Sequence, residues 1–424
     1  MKYSQLFTKT RALAPKDELS ANAQLLIRGG FIDKVIAGVY TYLPLGLRVL
    51  NNIARIIREE VNAVGGQEVL MPTLHPVENY EKTGRQAIDV LFRTELKNGT
   101  KLLLGQSHEE IVVPLVQRYV ESYKDLPVAV YQIQTKFRNE LRAKSGIFRG
   151  REFLMKDLYS FHANEQDFEA YYETVKHAYV KIFARCGIGA HTYITHASGG
   201  TFSKYSHEFQ TVTDAGEDTI YLCKKCAIAV NREIRADTPA CLECGGTDAE
   251  EKKAIEVGNI FPLKTRFSDA FGLTYKNKEG KNEKVIMGCY GIGLGRLMGT
   301  VVEVSHDERG IIWPESVAPF TVHLLTAGKA SESVIQEADR LYAVLQKNGV
   351  DVLYDDRALA PTGAKLADAD LIGIPWRVVL SEKTMEKKGV EVKKRNQKEG
   401  TIMMFMEVVD SIKTIRTLKP PIKD

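Results

Sequence analysis

Three groups of residues have types and spacing that suit chemistry. The first is Phe137-Arg138-Asn139-Glu140 followed by Arg149-Gly150-Arg151-Glu152-Phe153. It concentrates positive charge beside an aromatic ring. Arg138 can fork onto a phosphate or carboxylate, Phe153 can stack on a base, and Glu140 can accept from an exocyclic amine. A charged hairpin with solvated tips accounts for the same residues, and the segment alone does not choose between the two. The second group is Met287-Gly-Cys-Tyr-Gly-Ile-Gly-Leu-Gly-Arg296. Its alternating Gly291, Gly293 and Gly295 let a ligand approach the backbone just before a helix opens. The spacing is not that of a dinucleotide fingerprint, and tight packing is the competing explanation. The third is Cys223-Lys-Lys-Cys226 with Cys241-Leu-Glu-Cys244. Two such turns can close a tetrahedral thiolate site, so Cys223, Cys226, Cys241 and Cys244 are read as ligands of a structural zinc rather than as free thiols. Four thiolates leave no open position for catalysis.

These residues need elements to hold them. Residues 46–64 repeat Leu47, Leu50, Ile53 and Ile57 at helical spacing and stop at Gly65-Gly66. The run 68–71 then reads as a strand ending at Pro72. Helix is predicted from about His108 to Tyr123 and strand over 128–134. Residues 137–140 and 151–161 are predicted as two strands around a basic, glycine-containing loop, and Asn164 as the cap of a helix running toward Cys186. Strand-rich sequence follows Thr192 until a helix opens near Gly293. Two prolines within Trp313–Pro319 mark a domain boundary. Beyond it come strand 320–326, helix 331–348 with Val334, Ile335, Ala338, Leu341 and Leu345 on one face, strands 350–354 and 377–380, and a closing helix 405–415. That alternation predicts a small α/β domain.

Composition bounds the rest. The chain has 424 residues, suited to two or three domains, with 44% hydrophobic and 26% charged residues. A net charge of +4 permits a polyanionic partner without demanding one. The first residues have no apolar leader, and no stretch is apolar enough to span a membrane. Six cysteines in a chain of this length do not form a disulfide scaffold. The expectation is a cytoplasmic protein with neither membrane nor DNA as partner.

Taken together, Phe-Arg-x-Glu, Arg149-x-x-x-Phe153 and the glycine run ending in Arg296 resemble the second and third signatures of class II aminoacyl-tRNA synthetases. The helix at 46–64 resembles the first, which in that class builds the dimer interface. Longer stretches are similar to the prolyl-tRNA synthetase family of the bacterial kind: Lys136–Glu140, Arg151–His162, Met287–Gly293, Gly38–Gly46, Ser206–Phe209 and Asp307–Pro314. The resemblance implies an α+β class II catalytic domain, an antiparallel sheet flanked by helices, over 1–316, with a zinc-ribbon-like insert at 221–248. A C-terminal α/β anticodon-binding domain would follow over 317–424. It implies a homodimeric proline–tRNA ligase using ATP and Mg²⁺, with tRNA(Pro) and L-proline as the other substrates.

Roles carry over by matching position. Arg138 would hold the α-phosphate and the proline carboxylate, Glu140 the adenine amine, Phe153 the adenine face and Arg296 the far phosphates. Arg149 and Gly293 belong to the same ATP site, with Glu208 a candidate Mg²⁺ ligand. Ser107 and Glu109 would meet the imino group, Met155 or Phe161 would wall the ring, and His207 and Gly291 would lie nearby. Arg138, Glu140 and Arg296 are the expected catalytic residues. Two positions depart from the family: Ser107 stands for a threonine and Asn259 for a frequent histidine. Removing one methyl is worth only about 1 kcal/mol, so the chemistry is expected to survive.

Between Phe209 and Ala254 lie about 45 residues, where bacterial relatives often carry an editing domain of well over a hundred. Hydrolysis of mischarged alanyl-tRNA in cis is therefore not expected. Lys383, Lys387, Lys388, Lys393, Lys394, Arg395 and Lys398 give the C-terminal domain a basic edge suited to RNA. The competing readings are a threonyl- or seryl-specific relative and a non-catalytic paralogue acting as a regulatory or RNA-binding subunit. The latter sits poorly with the retention of Arg138, Glu140, Phe153 and Arg296.

Overall fold

The computed structural model describes residues 1–16, 18–141, 145–200, 202–328 and 331–417; the tip of the basic loop, 142–144, lies outside them. The chain divides into two compact units, one of 34–40 and 53–304, the other of 1–33, 41–52 and 305–424.

The elements that matter to the site are helix α1 (Pro44–Ala63), strands β1 (Gln67–Glu68) and β2 (Val128–Phe137), helix α2 (Glu109–Val116), strand β3 (Glu152–His162) and helix α3 (Glu165–Arg185). Then come β4 (Thr192–Ser198), β5 (Tyr205–Val212), β6 (Asp218–Cys223), β7 (Ala229–Asn231), β8 (Ala249–Lys264), β9 (Ile286–Gly293) and helix α4 (Leu294–Val304). The nine strands form one sheet in the order β5-β4-β7-β6-β8-β9-β3-β2-β1, antiparallel except for β7 with β4 and β1 with β2. β5 also pairs with β8, so the strands from β4 to β8 close on themselves. The long β8 serves both parts: Ala249–Ala254 pairs with β6, and Asn259–Lys264 with β9.

Local chemistry explains the boundaries. α1 opens on Pro44, whose missing N–H costs nothing at a first helical position. It stops where Gly65 adopts φ 82°. Asn164 caps α3 by accepting from the Asp167 N–H at 2.9 Å. Three expectations are corrected. Residues 137–140 are not a separate strand, because β2 ends at Phe137. Residues 69–71 leave the sheet after the two-residue β1, although the Val69 N–H still donates to the Tyr131 carbonyl. The helix expected from His108 to Tyr123 stops at Val116, two residues after Pro114.

In the other unit, β10 (Val322–Thr326), α5 (Glu332–Lys347), β11 (Val352–Asp355), α6 (Thr362–Ile372), β12 (Trp376–Leu380), β13 (Val390–Lys394), β14 (Thr401–Met403) and α7 (Phe405–Thr417) build a five-stranded sheet ordered β11-β10-β12-β13-β14. Its first three strands are parallel, which requires crossover helices. Val334, Ala338, Leu341 and Leu345 of α5 are buried as expected, whereas Ile335 is exposed. The N-terminus packs here too: the Met1 ammonium donates to the Tyr342 hydroxyl and the Val352 carbonyl. Arg395 is a correction to the basic edge. Both its terminal nitrogens are held by Asp307 at 2.6 and 2.8 Å, and the side chain is almost fully buried. It is committed to the fold rather than offered to RNA.

Candidate active site

The cavity of about 330 Å³ in the first unit is where the sequence groups meet. Its floor is the sheet. β3 lies between β2 and β9, with Asp157 opposite both Gln132 and Gly291, and Met155 opposite Gln134 and Gly293. Because side chains alternate along a strand, Phe153, Met155, Asp157 and Tyr159 share one face, and all four line the cavity. Gly291 and Gly293 face them. A Cβ on Gly291 would stand 3.7 Å from Met155 Sδ, and one on Gly293 3.6 Å from Arg296 Cβ. Packing alone thus tolerates a methyl at either position, and the bare backbone leaves room for a ligand.

One end of the cavity is cationic. The Arg138 guanidinium lies 5.4 Å from the centroid of the Phe153 ring and donates to the Gln106 carbonyl. Arg296, in the first turn of α4, donates to the Phe148 carbonyl and to the Glu256 carboxylate at 3.0 Å. Desolvation first, and then the neighbouring Arg296, hold Arg138 below its ordinary value. Two guanidiniums facing one cavity repel each other, and an anion between them relieves that repulsion. Arg149 and Glu140 line the same end, Arg149 standing 3.6 Å from Glu217.

The other end is acidic and apolar. Ser107 and Glu109 sit at the start of α2. Arg85 donates to Glu109 at 3.1 Å, to Glu110 at 2.9 Å and to the Ser107 hydroxyl at 3.3 Å. Burial pushes the Glu109 carboxyl up, but Arg85 and Ser107 more than offset this, so it stays ionised. The Cys289 thiol donates to the same carboxylate at 3.4 Å. Phe202, Phe261 and Met155 complete an apolar wall. Asp157 accepts from Lys136 at 2.7 Å, from Gln132 and from the Tyr159 hydroxyl.

Ten of the residues given substrate-site roles from sequence therefore line one cavity, Ser107, Glu109, Arg138, Glu140, Arg149, Phe153, Met155, Gly291, Gly293 and Arg296, and so does Asn259. Phe161 does not. It shares the face of Tyr159 but lies one step deeper, fully buried among Val112, Leu263 and Met287. His207 is also elsewhere, with Nδ1 on the Tyr172 hydroxyl. Glu208 stands one side chain back. It accepts from Asn259, which lines the cavity, and from Gln210 and Asn231. Burial, then Glu256, pushes its carboxyl up to about 8. Sequence reasoning missed Arg85, Asp157, Phe202 and Glu256. Asp157 lies within the family-like stretch Arg151–His162 but carries no assigned role there, and nothing in the local patterns of Arg85 and Phe202 distinguishes them from ordinary surface or core residues.

The four cysteines form a separate cluster, with Sγ···Sγ distances of 3.6 Å for Cys223–Cys244 and 3.5 Å for Cys226–Cys241. Thiolates about 2.3 Å from a tetrahedral zinc stand about 3.8 Å apart, so the donor set and its spacing fit that ion. Each Cys-x-x-Cys turn ends on a left-handed residue, Ala227 at φ 58° and Gly245 at φ 67°.

Residues 92–305 match the family described as tRNA synthetase class II core domain (G, H, P, S and T), and 317–415 match the anticodon binding domain family. Together with the sheet and its cavity, these matches define a class II aminoacyl-tRNA synthetase. A proline–tRNA ligase of Anaplasma phagocytophilum is 38% identical over 430 positions, covering 97% of this chain and all of that one. Another, of Dehalococcoides mccartyi, is 32% identical over 564 positions, covering 98% and 99%. The chain belongs to the proline–tRNA ligase family. The fold is also that of Cryptosporidium parvum prolyl-tRNA synthetase, with a TM-score of 0.77 at 17% identity over 93% of this chain and 76% of that one. The Giardia lamblia enzyme, solved with prolyl-adenylate, gives 0.75 at 21% over 91% and 73%.

Proposed function

We propose that this chain activates L-proline with ATP and transfers the prolyl group to the 3′ end of tRNA(Pro). The observation that carries the reading is the meeting of Arg138, Phe153 and Arg296 with Ser107 and Glu109 in one cavity. A nucleotide placed at the cationic end has its base against Phe153 and near Glu140. Its α-phosphate meets Arg138, and its outer phosphates meet Arg296 and Arg149. Proline at the other end presents its secondary ammonium to the Glu109 carboxylate and the Ser107 hydroxyl, with its ring against Met155 and Phe202. An oxygen of the proline carboxylate bonds to the α-phosphorus while the bond to the pyrophosphate oxygen breaks. The 3′-terminal ribose hydroxyl of the tRNA then attacks the acyl carbon, and AMP leaves. No covalent catalyst is required, because orientation and fixed positive charge carry both steps. Mg²⁺ accompanies ATP and neutralises phosphate charge.

We take 1–316 as the catalytic domain and 317–424 as the anticodon-binding domain, and place the enzyme in the cytoplasm as a homodimer. The four cysteines hold a structural zinc, a view supported by their spacing. Editing in cis is absent. The alignment with the Dehalococcoides relative spans 564 positions against 424 residues here, so at least 140 positions of that relative have no counterpart, whereas the Anaplasma relative aligns over 430. Charging of tRNA with labelled proline tests the main reading, and failure to charge any tRNA(Pro) contradicts it. Rapid enzyme-dependent deacylation of alanyl-tRNA(Pro) contradicts the absence of editing.

A further inference from the structure

Beside the cysteine cluster a second set of donors converges that neither proline nor ATP chemistry uses. His196 on β4 and His207 on β5 are direct cross-strand partners, with ring centroids 4.7 Å apart. Glu243, between Cys241 and Cys244, reaches over them, and its Oε1 lies 3.2 Å from His196 Nε2. One donor atom from each of the three residues lies within 4.8 Å of the other two. A zinc ion with nitrogen and oxygen ligands at about 2.0–2.2 Å needs its donors about 3.3–3.5 Å apart. The His196–Glu243 pair, at 3.2 Å, is close to that spacing, and the His207 donor lies within 4.8 Å of both.

A second observation points the same way. The hydrogen of the Tyr172 hydroxyl is committed to the Ile260 carbonyl at 3.0 Å. The same hydroxyl, 2.9 Å from His207 Nδ1, must therefore accept there. The Nδ1 carries the proton and Nε2 keeps its lone pair. This is the outer arrangement that metal-ligating histidines use to fix tautomer and orientation. The nearby cation, Lys176, is paired with Glu173 at 2.6 Å, which offsets its charge.

We propose that His196, His207 and Glu243 bind a divalent transition metal of the zinc type, separate from any ion held by the four cysteines. Two imidazoles and one carboxylate suit borderline ions of this kind and suit Mg²⁺ or Ca²⁺ poorly, since those prefer oxygen. The fourth position is left to water. Because Glu243 belongs to the cysteine knuckle and the histidines to β4 and β5, the ion ties the knuckle to the sheet, one residue from Glu208.

The test is metal counting on the full chain, stripped with a chelator and reloaded with zinc alone. Wild type should hold one more zinc per chain than His196→Ala and than Glu243→Ala. With Co²⁺ as probe, the thiolate-to-metal charge-transfer band should be the same in all three proteins, while the weaker ligand-field bands lose intensity in both variants. Glu243 is half exposed, so its replacement leaves the fold intact and the comparison interpretable even if His196→Ala is unstable. Equal zinc contents in wild type and Glu243→Ala overturn the proposal, as does a loss confined to His196→Ala.

Discussion

The guanidinium of Arg85 stands 3.1 Å from the carboxylate of Glu109, and both side chains are almost wholly withdrawn from water. Glu109 takes Arg85 as its ion-pair partner, and the same guanidinium also holds Glu110 at 2.9 Å, so removing it strands two buried carboxyl groups. Removing one partner of a buried ion pair costs about 3–5 kcal/mol, because the other is left desolvated and uncompensated. Arg85→Ala should lose stability of that order in urea unfolding and raise the KM for proline more than that for ATP. A loss below about 1 kcal/mol contradicts this reading of the pair.

Glu110 shares Arg85 and titrates in the opposite sense. Burial pushes its carboxyl up to about 7 from an ordinary 4.5, with Arg85 opposing and Glu109 adding to the rise. The folded protein then keeps a proton, between those two values, that the unfolded chain releases. This group's contribution is therefore present at low pH and declines as the pH rises toward 7. Glu110→Gln removes the titration. The unfolding free energy of wild type minus that of the variant should fall between about pH 5 and about pH 8, on the order of 2 kcal/mol. A flat or rising difference contradicts the assignment.

Phe153 faces Arg138 across the cationic end. Stacking of a base on an aromatic ring is worth about 1–3 kcal/mol. Phe153→Ala should raise the KM for ATP by about tenfold or more and leave the KM for proline nearly unchanged. Equal effects on both substrates would mean that the ring shapes the cavity as a whole rather than holding the base.

Gly291 offers a test of space. Its Cβ position is an ordinary contact for the protein, and β-branched residues suit a strand interior. Gly291→Val should therefore fold with stability within about 1 kcal/mol of wild type yet bind proline at least tenfold more weakly, as isothermal titration reads it. Wild-type affinity in the variant contradicts the placement of proline beside this strand.

Most of the cationic end was legible because its parts are contiguous in sequence: Arg138 to Phe153 on one hairpin, Gly291 to Arg296 on one strand–helix junction. The cysteine element was legible for the same reason. Arg85, Phe202 and Glu256 reach the cavity only through tertiary folding, and no periodicity marks them. Phe161 shows a subtler limit. Strand alternation places it on the same face as Phe153 and Tyr159, but says nothing of where the cavity ends and the core begins. Arg395 shows another, since a run of positive residues counts charges without revealing that Asp307 holds this one. His207, matched to the proline site by position, turns instead toward His196 and Tyr172.

The most direct measurement is ATP–pyrophosphate exchange, run with each of the twenty amino acids on wild type and with proline on Arg138→Ala and Arg296→Ala. Wild type should exchange with proline far above the rest, and each arginine variant should fall by about 10²–10³ with its far-ultraviolet circular dichroism unchanged. Absence of proline-dependent exchange, or wild-type rates in either folded variant, contradicts the site described above.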